Sequence, residues 1–137
     1  MSYLLDTNVV SETSKANPSP NVVGWLENVS VESIFISTLT LGEIRYGIDK
    51  LTDVGLQQRL NEWVERDVVA WFGPRLLPID AKIADTWGRL RNRAGRTLPA
   101  IDGLVAATAL ANGLTLVTRN VKDFQGTGAE VIDPWNM

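Results

Sequence analysis

Short runs rich in leucine and β-branched residues, each closed by a polar residue, alternate along this chain with much longer stretches of helical periodicity, and few folds accept that alternation. Tyr3-Leu4-Leu5 stops at Asp6, Ile34-Phe35-Ile36 at Ser37, and Leu76-Leu77 at Pro78 and Asp80. Leu114-Thr115-Leu116-Val117 stops at Thr118, and Glu130-Val131-Ile132 at Asp133-Pro134. All five read as strands. Between Gly55 and Gly73, Leu56, Leu60, Trp63, Val64, Val68 and Trp71 recur at three- and four-residue steps, the pattern of a helix with one buried face. Ile83, Ala84, Trp87, Leu90 and Ala94 repeat it behind an N-cap expected at Asp80. From Ala100 to Ala111 nearly every residue is small or apolar, which predicts a helix buried on more than one side. Strands separated by helices need crossover connections rather than hairpins. The expected fold is therefore α/β, a central and mostly parallel five-stranded sheet flanked by helices. No repeat or linker divides the chain, so residues 1–137 are expected to form one domain.

In open sheets of this kind, ligands sit beyond the carboxyl ends of the strands. Asp6, Ser37 and the run Thr118-Arg119-Asn120 fall there. The chain has no cysteine and no histidine, which removes thiolate and imidazole nucleophiles, the Ser-His-Asp relay, and the ligands usual for zinc, copper and haem. Chemistry must then rest on carboxylates, hydroxyls, amides, Lys, Arg or Tyr. Oxygen ligands favour magnesium or manganese. A net charge of -3 makes the surface as a whole no electrostatic glove for nucleic acid. The N-terminus meets a carboxylate at Asp6 with no basic leader, and the longest apolar stretch is far below the roughly 20 residues that span a bilayer. A cytoplasmic protein with no membrane partner is expected.

Four acids stand out. Asp6 follows the first strand, where an Asx turn or a helix N-cap is the structural alternative to a functional role. Glu43 follows Ser37 by one helical stretch, and Thr40-Leu41-Gly42-Glu43 also fits a capping box. Asp102 opens the most apolar helix, where the helix dipole favours an acid; exposed, it is a helix-end residue, and buried, it wants a cation. Asp123 lies in a loop beside Lys122, a setting in which acids are usually solvated. Taken jointly, these segments bring carboxylates to one edge of the sheet. Two such charges about 4 Å apart repel by roughly 4 kcal/mol at an effective dielectric of 20. Protonation of one acid or binding of a divalent cation relieves that repulsion. A cation there would polarise a phosphoryl oxygen and activate water, so phosphoester hydrolysis is the inferred reaction class.

These motifs resemble the PIN-domain nucleases, and within them the VapC toxins of type II toxin-antitoxin systems, including the FitB-like group. Leu5-Asp6-Thr7-Asn8, the segment Ser37 to Gly47, Asp102 before its small-residue helix, and Leu116 to Phe124 carry the likeness in order along essentially the whole chain. The resemblance implies that Asp6, Glu43 and Asp102 form an acidic triad binding Mg2+ or Mn2+, with Asp123 at a less uniform fourth position. It also implies that Asn8 and Thr118 steady the cluster by hydrogen bonds. The implied function is toxic endoribonuclease activity on RNA, neutralised by a cognate VapB-type antitoxin, in a homodimer or a larger toxin-antitoxin assembly.

Arg89, Arg91, Arg93 and Arg96 crowd one short segment before Asp102. Arg89, Arg93 and Arg96 share a face that suits either an RNA backbone or an antitoxin tail, or simply a helix C-terminus. Arg45, close after Glu43, is a lesser candidate for the same tasks. Trp63, Trp71 and Trp87 fit core stripes, while Trp25, Trp135 and the outer side of Trp63 suit self-association or a partner interface. The rival function from a different class is a non-catalytic PIN-like binding module whose acids are structural.

Overall fold

The computed structural model describes residues 1–137. All five expected strands form: β1 Tyr3–Leu5, β2 Ile34–Ser37, β3 Leu76–Leu77, β4 Thr115–Val117 and β5 Val131–Ile132. They make one sheet in the order β3-β2-β1-β4-β5, and every neighbouring pair is parallel. The helices are α1 Thr7–Glu12, α2 Pro20–Asn28, α3 Thr38–Asp49, α4 Val54–Trp63, α5 Ala81–Arg93 and α6 Ala100–Ala111. Asp80 caps α5 as its sequence position predicts, its side chain accepting from the Ile83 N–H. No helix is long and apolar enough to cross a membrane.

Successive strand residues point to opposite faces, and two cores result. Leu5 and Val117 face one core with Val9, Val22, Ile44, Val64, Val68 and Phe72. Leu4 and Leu116 face the other, with Ile83, Leu90, Val105, Ala106, Ala109 and Phe124. The central strands β1 and β4 are thus walled on both sides, which is why they read as continuous apolar runs. Along α6 the small residues let the helix lie close to its neighbours. At Gly103 a Cβ would stand 2.9 Å from Trp87 Nε1, so only glycine permits this approach of α6 to α5.

Two expectations need correction. Glu43 is no part of a capping box. The N-cap of α3 is Ser37, whose Oγ accepts from the Leu39 N–H at 3.1 Å, and Thr40 and Glu43 lie further inside the helix. Trp71 is not a core residue. It is 46% exposed, and the adjacent Phe72 is buried instead. The cause is a π-helical stretch, Val64–Ala70, that continues α4. Its wider turn carries the inward stripe from Val64 to Val68 to Phe72 at steps of four, where an α-helical count lands on Trp71. Trp63 and Trp87 pack against the two cores as expected. Trp25 stands edge-on to Tyr3, and Trp135 lies beneath the Arg119 guanidinium.

Candidate active site

Strand register assembles the first part of the site. β1 pairs Tyr3 with Thr115 and Leu5 with Val117, so the next residues, Asp6 and Thr118, emerge side by side where the sheet ends. The Thr118 hydroxyl donates to Asp6 Oδ2 at 2.8 Å, and the Thr7 N–H donates to Oδ1 at 2.9 Å. Asp6 is therefore both the N-cap of α1 and the innermost acid of the edge. Thr118 is fully buried and its oxygen also accepts from Asn8 Nδ2 and from the Asn120 N–H, each at 3.1 Å. Asn8 Oδ1 in turn accepts from the Arg119 N–H at 3.3 Å. One buried hydroxyl thus ties β4, the loop after it and the first turn of α1 to a single carboxylate.

Glu43, on α3, reaches the same edge. Its Oε1 accepts from the Thr7 hydroxyl at 2.7 Å, and Thr7 Oγ1 lies 3.4 Å from the buried Thr40 hydroxyl. Asp102 stands in the first turn of α6, half-buried. Asp123 is exposed on the 3-10 turn Val121–Phe124.

The electrostatics bind the four acids into one group. Burial pushes the Asp6 carboxyl up from its ordinary range; its bonds to Thr118 and Thr7 pull it back, and the charges of Glu43 and Asp123 push it up again. Asp102 is raised by burial first, then by the charges of Asp123, Asp6 and Glu43, with Arg96 opposing. Glu43 and Asp123 act on both Asp6 and Asp102, and Asp6 acts on Asp102 as well, yet no three of the acids are close enough to make a finished ligand shell. The donors are all hard oxygens; those of Asp6 and Glu43 are held by hydroxyls and a backbone N–H, and none of the four acids is in a Lys or Arg ion pair. That donor set fits a divalent cation of the magnesium or manganese kind, whose coordination commonly includes water beside one or two carboxylates.

The basic residues are placed differently from one another. Arg45 donates to Asn61 Oδ1 at 2.7 Å and pairs with Glu65, so it braces α3 against the α4 region. Arg89 pairs with Asp85 at 3.0 Å, and Arg91 stacks over Trp87. Arg93 lines a shallow, wholly polar groove with Thr86, Arg89 and Asn92. Arg96 donates to the backbone carbonyls of Asp123 and Gln125. A groove of about 580 Å³ is mostly apolar, contains none of the four acids in its lining, and lies between α2 and the Trp63–Phe72 stretch.

Thr7 and Thr40 are site residues that sequence reasoning did not single out. The available signal was the hydroxyl-rich run Ser37-Thr38-Leu39-Thr40 and the triplet Asp6-Thr7-Asn8, polar side chains just past two adjacent parallel strands.

Residues 3–129 match the model of the PIN domain family. The chain is 35% identical over 136 residues to Toxin FitB of Neisseria gonorrhoeae, covering 97% of this chain and 98% of that one. It is 31% identical to VapC ribonuclease Y4jK of Sinorhizobium fredii, with 96% of both chains covered. Among solved structures, FitAcB from Neisseria gonorrhoeae superposes with a TM-score of 0.92 at 34% identity, covering 98% of this chain and 99% of the other. A fold match this complete, with full-length sequence similarity, makes the chain a member of the PIN domain family in its FitB and VapC branch.

Proposed function

We propose that the chain, acting as one PIN domain over residues 1–137, is the toxin of a toxin-antitoxin pair and cleaves RNA internally with the help of a divalent cation. Mg2+ is the expected ion and Mn2+ a substitute. The observation that carries this reading is the shared charge of Asp6, Glu43, Asp102 and Asp123 at the sheet edge, two of them raised by burial and by the charges of neighbouring acids. Similarity to proteins named toxin and ribonuclease supports the choice of RNA over another phosphodiester.

Asp6, Asp102 and Asp123 would hold the cation. When bound, it supplies Lewis-acid polarisation of the scissile phosphate and lowers the pKa of water. Thr118 keeps Asp6 Oδ2 at a fixed angle, and the Thr7 N–H does the same for Oδ1. Asn8 acts one step back, holding the Thr118 hydroxyl. Glu43 is exposed, and with Oε1 engaged by Thr7 its Oε2 is left to take the proton from the attacking water. Water attacks phosphorus as Glu43 takes its proton, the bond from phosphorus to the ribose oxygen breaks, and that oxygen takes up a proton from solvent water. A VapB-type antitoxin silences the enzyme, in a homodimer or larger assembly. Its site of action is the cytoplasm, where RNA is met.

The test is cleavage of a defined RNA by the partner-free protein, with and without chelator. Cleavage should require Mg2+ or Mn2+, and Asp6→Asn should abolish it while the protein stays folded. Metal-independent cleavage, or full activity in the variant, refutes the nuclease reading and favours the non-catalytic binding module.

A further inference from the structure

We propose that Arg96 is a positioning residue for the candidate cation site: its guanidinium fork, by gripping the carbonyls of Asp123 and Gln125, holds Asp123 at the acid cluster. The inference rests on the nuclease reading and adds to it a residue that touches neither substrate nor cation. Arg96 Nη2 donates to the Asp123 carbonyl and to the Gln125 carbonyl, each at 2.9 Å, and Nε donates to Gln125 at 3.3 Å. Asp123 itself sits on a single 3-10 turn, exposed, with its N–H bonded only to the Asn120 carbonyl. Such a turn is too short to fix a side chain by its own hydrogen bonds. Other contacts must do so.

The backbone on both sides is built for this grip. Gly95 (φ +69°) turns the chain out of α5 and aims Arg96 at the 3-10 turn. Gly126 (φ +84°) comes so near the end of α5 that a Cβ there would stand 2.9 Å from the Ala94 carbonyl oxygen. The loop after α5 and the loop carrying Asp123 are thus pressed together, with Arg96 as the polar clasp. A planar fork that meets two carbonyls sets direction as well as distance, which an ammonium does not do. The same clasp sits near enough to Asp102 for its charge to oppose the rise in that carboxyl's pKa. The rest of the arginine-rich segment serves less well for this task, since Arg89 and Arg91 are committed within α5.

Residues one step behind metal ligands typically change metal affinity or activity by about 10–100-fold when altered. Mn2+ binding to the intact protein is measured by calorimetry for wild type, Arg96→Lys and Arg96→Gln, with amide hydrogen exchange of Asp123, Gln125 and Thr127 in each. Both variants should bind Mn2+ at least about tenfold more weakly. The three amides should exchange faster while the core strands stay protected. The lysine variant, which keeps the charge, should not rescue. Wild-type affinity in Arg96→Lys, with or without loss in Arg96→Gln, overturns the inference, because charge and not the fork would then suffice. Unchanged exchange at the three amides overturns it as well. If wild type itself binds no Mn2+, the nuclease reading falls and the inference with it; if wild type binds and both variants bind equally well, only the inference falls.

Discussion

Thr118→Val deletes one oxygen from the middle of the site and leaves the side-chain volume nearly unchanged. The lost hydroxyl donates to the Asp6 carboxylate at 2.8 Å and accepts from Asn8 and from the Asn120 N–H at 3.1 Å each. A hydrogen bond to a charged group contributes about 1.5–3 kcal/mol, and a neutral one about 0.5–1.5. Asn120 is exposed and Asn8 half-buried, so water recovers part of the neutral bonds. The expected loss is about 3 kcal/mol, a large share of the roughly 5–15 kcal/mol of a typical domain. In urea, with a slope near 2 kcal/mol/M, the midpoint falls by about 1.5 M. The measurement is made in chelator, in both wild-type and Asp6→Asn backgrounds. In the second background the charge-assisted bond is already gone, so the same substitution should cost only about 1.5 kcal/mol, a coupling of comparable size. Thr118→Ser, which keeps the hydroxyl, should lose no more than about 1 kcal/mol for its missing methyl. Equal cost in the two backgrounds would refute the claim that Thr118 acts chiefly on the Asp6 charge.

Stability of the metal-free protein should respond to pH in two opposite ways. Asp6 and Asp102 have folded-state pKa values raised above the unfolded ones, so the folded form takes up protons first, and stability rises as pH falls through those raised values toward the ordinary carboxylate range. Glu12 runs the other way: its carboxyl is lowered by the hydrogen bond from Lys15 and then by the Ser19 N–H, so its contribution is complete above the unfolded value and disappears as pH falls through the folded one. Chemical denaturation across the acid side of neutrality should show a gain that saturating Mn2+ or Asp102→Asn reduces, and a steady loss from pH 7 downward would contradict it. The π-helical register predicts that Phe72→Ala costs about 3–5 kcal/mol, whereas Trp71→Ala, at a half-exposed position, costs about 1 kcal/mol or less. Reversed costs would show that the inward stripe follows the α-helical count.

Most of the sheet was legible because each strand is a run closed by a polar residue, and the parallel pairing followed from the helices between them. One corner of the candidate site was legible for the same reason: parallel strands in aligned register end together, so Asp6, Thr118 and the Ser37 cap must be neighbours once β1 lies between β2 and β4. The cap of α3 and the fate of Trp71 were not legible. Thr40 and Ser37 are both competent caps, and which one serves depends on where β2 stops, a tertiary matter. The π-helical turn carries no local sequence mark, since Val64–Ala70 reads equally well as ordinary helix, and only the packing of Phe72 against the core reveals the extra residue. Nor does a crowd of arginines disclose its partners. Arg45, Arg89 and Arg96 look alike in sequence and meet a carboxylate and an amide, a carboxylate, and two carbonyls respectively.

Those partners bear on why the acidic edge calls for a cation. A protein that merely needed to tolerate four neighbouring acids would be expected to neutralise them with lysine or arginine, as Lys15 does for Glu12 at 2.8 Å. At the sheet edge it does the reverse. Asp6 is held by a hydroxyl and an N–H, Glu43 by a hydroxyl, and the one nearby guanidinium that moderates Asp102 spends its hydrogen bonds on backbone carbonyls. Neutral donors fix the direction of a carboxylate without cancelling its charge, so the oxygens stay both oriented and negative. Orientation without neutralisation costs folding energy in the metal-free chain, and the Asp6 and Asp102 carboxyls are accordingly raised, by burial first and by the neighbouring acids after it. A divalent ion recovers that energy on binding and should raise the unfolding temperature in proportion to its saturation. If Mn2+ left the unfolding temperature of wild type where it lies in chelator, the four acids would be structural after all.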